Sequence, residues 1–194
     1  MTKRSLCCDS EGATIVEFAI VVPLFMVLLL GIMDVGQMVY GKSVLAGAVR
    51  KAARESSLET RNTSEADAMV LDMIRPVLPG VTIATTRKSY YDFSDIGRPE
   101  KWNDSNKNGN CDNNETYTDE NRNAQWDEDV GKAGSDGGAS DVVVYTVNAS
   151  FEPAFKVPFL PKLWSNRTLS STAVTRNQPF ATQAGYGSSA GSCA

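Results

Sequence analysis

From Ala13 to Met33 the chain carries one charged side chain, Glu17, ahead of the apolar run Phe18–Met33. A stretch this apolar satisfies its backbone only as a helix, and one of this length suits lipid. A carboxylate there is costly, so Glu17 is expected to have a function. Lys3 and Arg4 in the polar leader Met1–Gly12 keep that end cytoplasmic and send the bulk of the chain outside. A secretory signal would be cut beyond its apolar part at a small-x-small site. Here the polar part comes first and the helical pattern continues past Met33. Val44, Leu45, Ala48, Val49, Ala52 and Ala53 form an i, i+4 stripe, with Lys42, Arg50, Lys51, Arg54 and Glu55 largely elsewhere. The reading is one helix over 13–56. It spans the membrane over about 14–35, ends its lipid contact near Asp34 and Gln37, and continues as an amphipathic stem. Pro23 is tolerated where neighbouring helices satisfy the freed backbone.

An α+β domain over 57–180 follows. Ser64 and Asp67 have capping-box spacing, and a second helix runs to about Arg75, where Pro76, Pro79 and Gly80 stop it. Val81–Tyr91, Val142–Phe151 and Thr168–Arg176 have strand character. Together they predict a long helix and a short one packed on a small antiparallel sheet, with a flexible tail over 181–194.

Histidine is absent, which removes Ser-His-Asp and Cys-His catalysis and imidazole metal ligation. No Walker loop or dinucleotide fingerprint is present, so the chain reads as a non-enzyme. Between Glu100 and Asp141 there are 11 acidic and 4 basic residues, net −7, against −4 for the whole chain. Such a block repels itself unless cations bind it, and it excludes nucleic acid as a partner. Within it, Asp104, Asn106, Asn108, Gly109 and Glu115 fit D-x-[DN]-x-[DN]-G-x5-E. Calcium takes six to eight hard oxygens, and this spacing brings alternate residues onto one point. The expected donors are Asp104, Asn106, Asn108, the Asn110 carbonyl, Asp112 and a bidentate Glu115. Fifteen residues on, a weaker copy holds Asp119, Asn121, Asn123, Asp127 and Asp129. There Ala124 replaces the turn glycine and Val130 the closing glutamate, and Asp136 or Asp141 are further candidates. No helices flank either copy, so these are EF-like loops rather than an EF-hand pair.

Cys7 and Cys8 lie in the leader. Cys111 and Cys193 face an oxidising compartment, where a pair would tie the tail to the acidic loop. Pairing and two free thiols are both open at this stage.

The junction Gly12-Ala13-Thr14-Ile15-Val16-Glu17-Phe18, continued by Ala19-Ile20-Val21-Val22-Pro23-Leu24, resembles the processing site and stem of TadE-like minor pilins or pseudopilins. These belong to the tight-adherence (Flp) branch of type IV pilus systems. The resemblance is strong over 12–55 and looser beyond. It implies a pilin-like fold, cleavage between Gly12 and Ala13 by a prepilin peptidase, and an assembly role for Glu17 opposite a neighbouring subunit's amine. It further implies residence in a bacterial inner membrane with a periplasmic domain, then at the pilus or cell surface, with other pilin subunits as partners. Ala13 departs from the Phe that type II secretion pseudopilins usually carry there. The competing expectations are an uncleaved, membrane-anchored periplasmic sensor or assembly factor, and a calcium-dependent surface adhesin.

Overall fold

The computed structural model describes residues 10–58, 62–112, 114–154, 166–179, 187 and 189–193, with side chains from Thr14 onward. The leader 1–9 and the side chains at the Gly12–Ala13 junction lie outside that set. Helix α1 (Ser10–Ser56) is continuous through Pro23, and α2 spans Thr63–Ile74. Strands follow as β1 (Thr82–Tyr90), β2 (Thr116–Asp119), β3 (Lys132–Ala133), β4 (Val142–Phe151), β5 (Arg167–Arg176) and β6 (Ser189–Ser192). Four of them form an antiparallel sheet in the order β3-β1-β4-β5, and β2 pairs with β6 separately. The described elements make an α+β architecture.

α1 has two unlike halves. Apolar side chains from Ile15 to Met33 stand largely exposed, and that stretch is long and apolar enough to cross a membrane. From Asp34 upward the helix packs on its own domain. Arg167, at the start of β5, reaches the nearly buried Asp34 at 2.8 Å. Gln37 donates to the Val77 carbonyl at 3.0 Å, and Gly41 lies against Leu78. Leu45, Ala48, Val49, Ala52 and Ala53 then enter the core against Ala66, Val70 and Ile74 of α2 and Tyr145, Val147, Ala149 and Phe151 of β4. The small alanines let helix and sheet approach closely while larger partners fill the space between.

Strand β4 runs to the bounds its β-branched residues suggest, and β1 and β5 agree within one residue. The α2 cap differs from expectation. Asn62, not Ser64, accepts the Glu65 amide at 3.2 Å. Asp67 is drawn instead to the sheet, accepting from Arg87 Nη2 at 2.6 Å, Thr85 Oγ1 at 3.0 Å and the Tyr145 hydroxyl. Arg87 also stacks over the Tyr145 ring at 4.4 Å and pairs with Asp136 at 3.2 Å. Part of the expected flexible tail is ordered as β6, and Cys193 is joined to Cys111. In the chain-entropy view, cross-linking residues 82 apart restricts the unfolded chain by about 4–5 kcal/mol.

Burial pushes the Asp67 carboxyl up, but hydrogen bonds from Arg87 and Tyr145 and the Arg87 charge outweigh it and hold the pKa low. A depressed carboxylate stabilises the fold above its unfolded pKa and loses that contribution as pH falls through the native one. Asp67→Asn is therefore expected to lower stability at neutral pH by about 2 kcal/mol. It should also flatten the acid limb, so that urea midpoints of variant and wild type converge as pH drops below the ordinary aspartate range.

Candidate functional site

The acidic segment contains two loops with the same hydrogen-bond pattern, one turning around Asp104 and the other around Asp119. In the first, Asp104 accepts the amides of Asn108 at 3.1 Å and Gly109 at 3.0 Å. In the second, Asp119 accepts those of Asn123 at 3.2 Å and Ala124 at 2.9 Å. The side-chain Oδ1 of Asn106 takes Asn108 N–H as that of Asn121 takes Asn123 N–H, and Asn108 Oδ1 takes Asn110 N–H as Asn123 Oδ1 takes Gln125 N–H. Side-chain amides of Asn106 and Asn108 both donate to Asp112, and those of Asn121 and Asn123 to Asp127. Backbones match as well. Lys107 and Gly109 have φ of 60° and 79°, and Arg122 and Ala124 have 63° and 62°. Ala124 thus keeps the left-handed turn that its side chain disfavours.

Each loop is closed by a glutamate, and the second comes from an unexpected place. Glu115 accepts the amides of Ser105 at 2.7 Å and Asn106 at 3.3 Å on one oxygen, and that of Asp112 at 3.4 Å on the other. Glu100 does the same for the other loop. It accepts Glu120 N–H at 2.8 Å and Asn121 N–H at 3.3 Å on one oxygen and Asp127 N–H at 3.3 Å on the other. Glu100 precedes both motifs, so a search forward from Asp119 reaches Val130 and misses it. The signal was nonetheless in the chain: Glu100 and Glu115 are themselves 15 residues apart, as are Trp102 and Tyr117. Residues 100–103 run back along β2, through the bridge of Trp102 to Tyr117 and the bonds Thr118 N–H to Lys101 O and Asn103 N–H to Thr116 O. That antiparallel run is what delivers Glu100 to the second loop. Trp126 donates its indole N–H to the Glu100 carbonyl and meets Trp102 edge-on at 5.2 Å.

Asp129 does not join the second loop. Lys88 at 2.7 Å, Tyr90 at 3.0 Å and the Gly131 amide hold it against β1. Asp136 goes to Arg87, and Asp141 accepts the Gly138 amide at 2.6 Å. Arg98 bridges Asp95 and Glu120 at 3.0 and 2.7 Å and so clamps the segment to the domain. Burial pushes the Glu100 carboxyl up. The amides of Glu120, Asn121 and Asp127 pull it down, the charge of Asp119 pushes it up again, and it stays above the ordinary range. Among the described residues no three His, Cys, Asp or Glu side chains converge on a point ready for a metal. The loops enclose two carboxylates and two carboxamides each, with a glutamate behind. All of these are oxygen-bearing groups of the kind calcium takes. Where the asparagine N–H groups meet Asp112 and Asp127, amide hydrogens supply the positive charge those carboxylates face.

Glu17 is exposed and lies on the exposed half of α1. Residues 12–54 match the family described as TadE-like protein. The match covers the helix and is consistent with a TadE-like protein of the tight-adherence pilus system; it does not extend over the acidic loops. No curated protein and no solved structure matches the chain.

A left-handed alanine costs about 1 kcal/mol more than glycine. Ala124→Gly is expected to raise the urea midpoint, and Gly109→Ala to lower it by a similar amount. A Cβ at Gly109 meets nothing within 4 Å, so that loss reports backbone strain alone.

Proposed function

We propose that this chain is a minor pilin or pseudopilin, cleaved after Gly12 by a prepilin peptidase and anchored by α1 in the inner membrane. From there it enters or primes a pilus, and calcium stabilises its outer domain. One observation carries the reading: α1, within the segment that matches the TadE-like family, spends its upper half on its own domain and leaves its lower half uncovered. A helix of that kind suits lipid first and the stems of other pilin subunits afterwards. Glu17 sits at its head, where a free amine of a neighbouring subunit would offset the carboxylate that lipid penalises.

The paired loops support the calcium part of the reading. Asp104, Asn106, Asn108, Asp112 and Glu115, with the Asn110 carbonyl, would hold one ion. Asp119, Asn121, Asn123, Asp127 and Glu100 would hold a second, with Glu100 in place of Asp129. Bound calcium supplies positive charge to a segment of net −7 that has little apolar material to fold around. The role of the ions in this reading is structural: metal–oxygen bonds stand in for the apolar core that the segment lacks.

Loops of this kind outside the cell bind at about 10⁻⁴–10⁻³ M. At millimolar calcium, one to ten times that dissociation constant, each site adds about 0.4–1.4 kcal/mol. Calcium is expected to raise the melting temperature of the detergent-solubilised chain, chelator to reverse it, and titration calorimetry to count two ions. Glu115→Gln and Glu100→Gln should each remove one. Unchanged melting and no heat at millimolar calcium would eliminate the metal reading. Glu17→Ala is expected to insert normally yet fail to co-purify with assembled filaments; normal incorporation would refute the role given to that carboxylate.

A further inference from the structure

Strand β2 is only four residues long, yet it joins the two loops: Glu115 closes the first immediately before it, and Asp119 opens the second at its end. One of its edges takes residues 100–103. The other takes β6, with Thr116 opposite Ser192 and Asp119 opposite Ser189. The C-terminal segment grips the first loop at three further points. Asn114 N–H donates to the Cys193 carbonyl at 3.2 Å, Cys193 N–H donates to the Glu115 carbonyl at 2.8 Å, and the cystine fastens Cys111, the neighbour of Asp112. Gly187 N–H reaches the Glu120 carbonyl beside the second loop at 2.8 Å. Cys193 is itself buried, and Tyr117 lies across Gly191 so closely that a Cβ there would stand 2.2 Å from its ring. The last residues of the chain are thus built into the loops' frame.

We propose that the C-terminal strand is a working part of the calcium sites, so that the Cys111–Cys193 bond and calcium strengthen each other. The inference rests on the calcium reading above and adds a redox control to it. With the cystine intact, β6 holds Glu115 and Asp119 at the separation the two loops need. Once it is reduced, the four residues Ser-Ala-Gly-Ser are held by their backbone pairing with β2 and by Tyr117 packed across Gly191. Reduction here is exchange with a dithiol. One reagent thiolate attacks a cystine sulfur and the protein S–S bond breaks. A mixed disulfide forms with that cysteine while the other leaves as a thiolate. The second reagent thiolate then attacks the reagent sulfur of the mixed disulfide, which releases the remaining protein thiolate and closes the reagent's own disulfide. Two electrons and two protons end on Cys111 and Cys193. Linkage makes the effect mutual: whatever factor the cystine adds to calcium affinity, calcium adds to the cystine's resistance to reduction.

The test uses the full chain in detergent with calcium alone as ligand. Calorimetry on oxidised wild type, on Cys111→Ser/Cys193→Ser and on Gly191→Val is expected to show about tenfold weaker binding in both variants. The first variant lacks the cystine and the second lacks the room for Tyr117. The reciprocal measurement needs no variant. Equilibration of wild type with dithiothreitol, with and without saturating calcium, should shift the reduced-to-oxidised ratio by the product of the two sites' tenfold factors, about a hundredfold or about 60 mV for two electrons. Equal affinities in oxidised and reduced wild type, or an unmoved redox equilibrium while calcium binds, would overturn the coupling and leave the calcium sites standing. Absence of binding to oxidised wild type would overturn the calcium reading and this inference with it.

Discussion

The contact between Arg167 and Asp34 marks the place where one helix passes from an exposed apolar half to a half packed on its own domain. Above it, every third or fourth side chain of α1 is taken up by the sheet and by α2. Below it, the helix stands largely exposed among the described residues. The domain cannot slide down to cover that lower half, because Gln37 and Gly41 are already fixed to the turn after α2. The apolar half must therefore find lipid or other helices. An uncovered apolar helix of this length suggests a membrane anchor, and the family match over the same residues suggests a pilus-associated protein.

A second constraint governs the far end of the domain. The segment from Glu100 to Asp141 has few large apolar groups apart from its two tryptophans and Tyr117, and it carries 11 of the chain's 23 acidic residues against only 4 basic ones. Such a segment cannot order itself by burial. Its order comes from carboxylates that accept backbone amides, from Arg98 and Lys88 at its margins, and from the cystine. The two loops interlock, since the closing glutamate of one lies ahead of the other. Neither is an independent module, which is why the short strands between and beside them carry weight beyond their length.

Much of this was legible in the sequence, and the exceptions have physical reasons. Helical periodicity in α1 and α2 and the β-branched runs of β1, β4 and β5 report burial on one face, and burial is what residue type encodes. β3 and β6 bury little and pair through backbone groups that every residue has, so Ser189–Ser192 gave no sign of a strand, and β2 is too short for its buried Tyr117 and Asp119 to set a pattern. Ser64 had the spacing of a cap, but its partner Asp67 was better satisfied by Arg87 and Tyr145, a contact between distant parts of the chain. Asp129 had the right chemistry for the second loop and went instead to Lys88 and Tyr90 for the same reason. Glu100 could have been found from the 15-residue spacing that it shares with Glu115.

The identity of the first residue of the mature, membrane-extracted protein bears most directly on the central claim, that the exposed half of α1 is kept as an assembly stem once its leader is removed. Sequencing from the amino terminus is expected to begin Ala13-Thr14-Ile15-Val16-Glu17. A terminus at Met1, or at any residue beyond Met33, would contradict it.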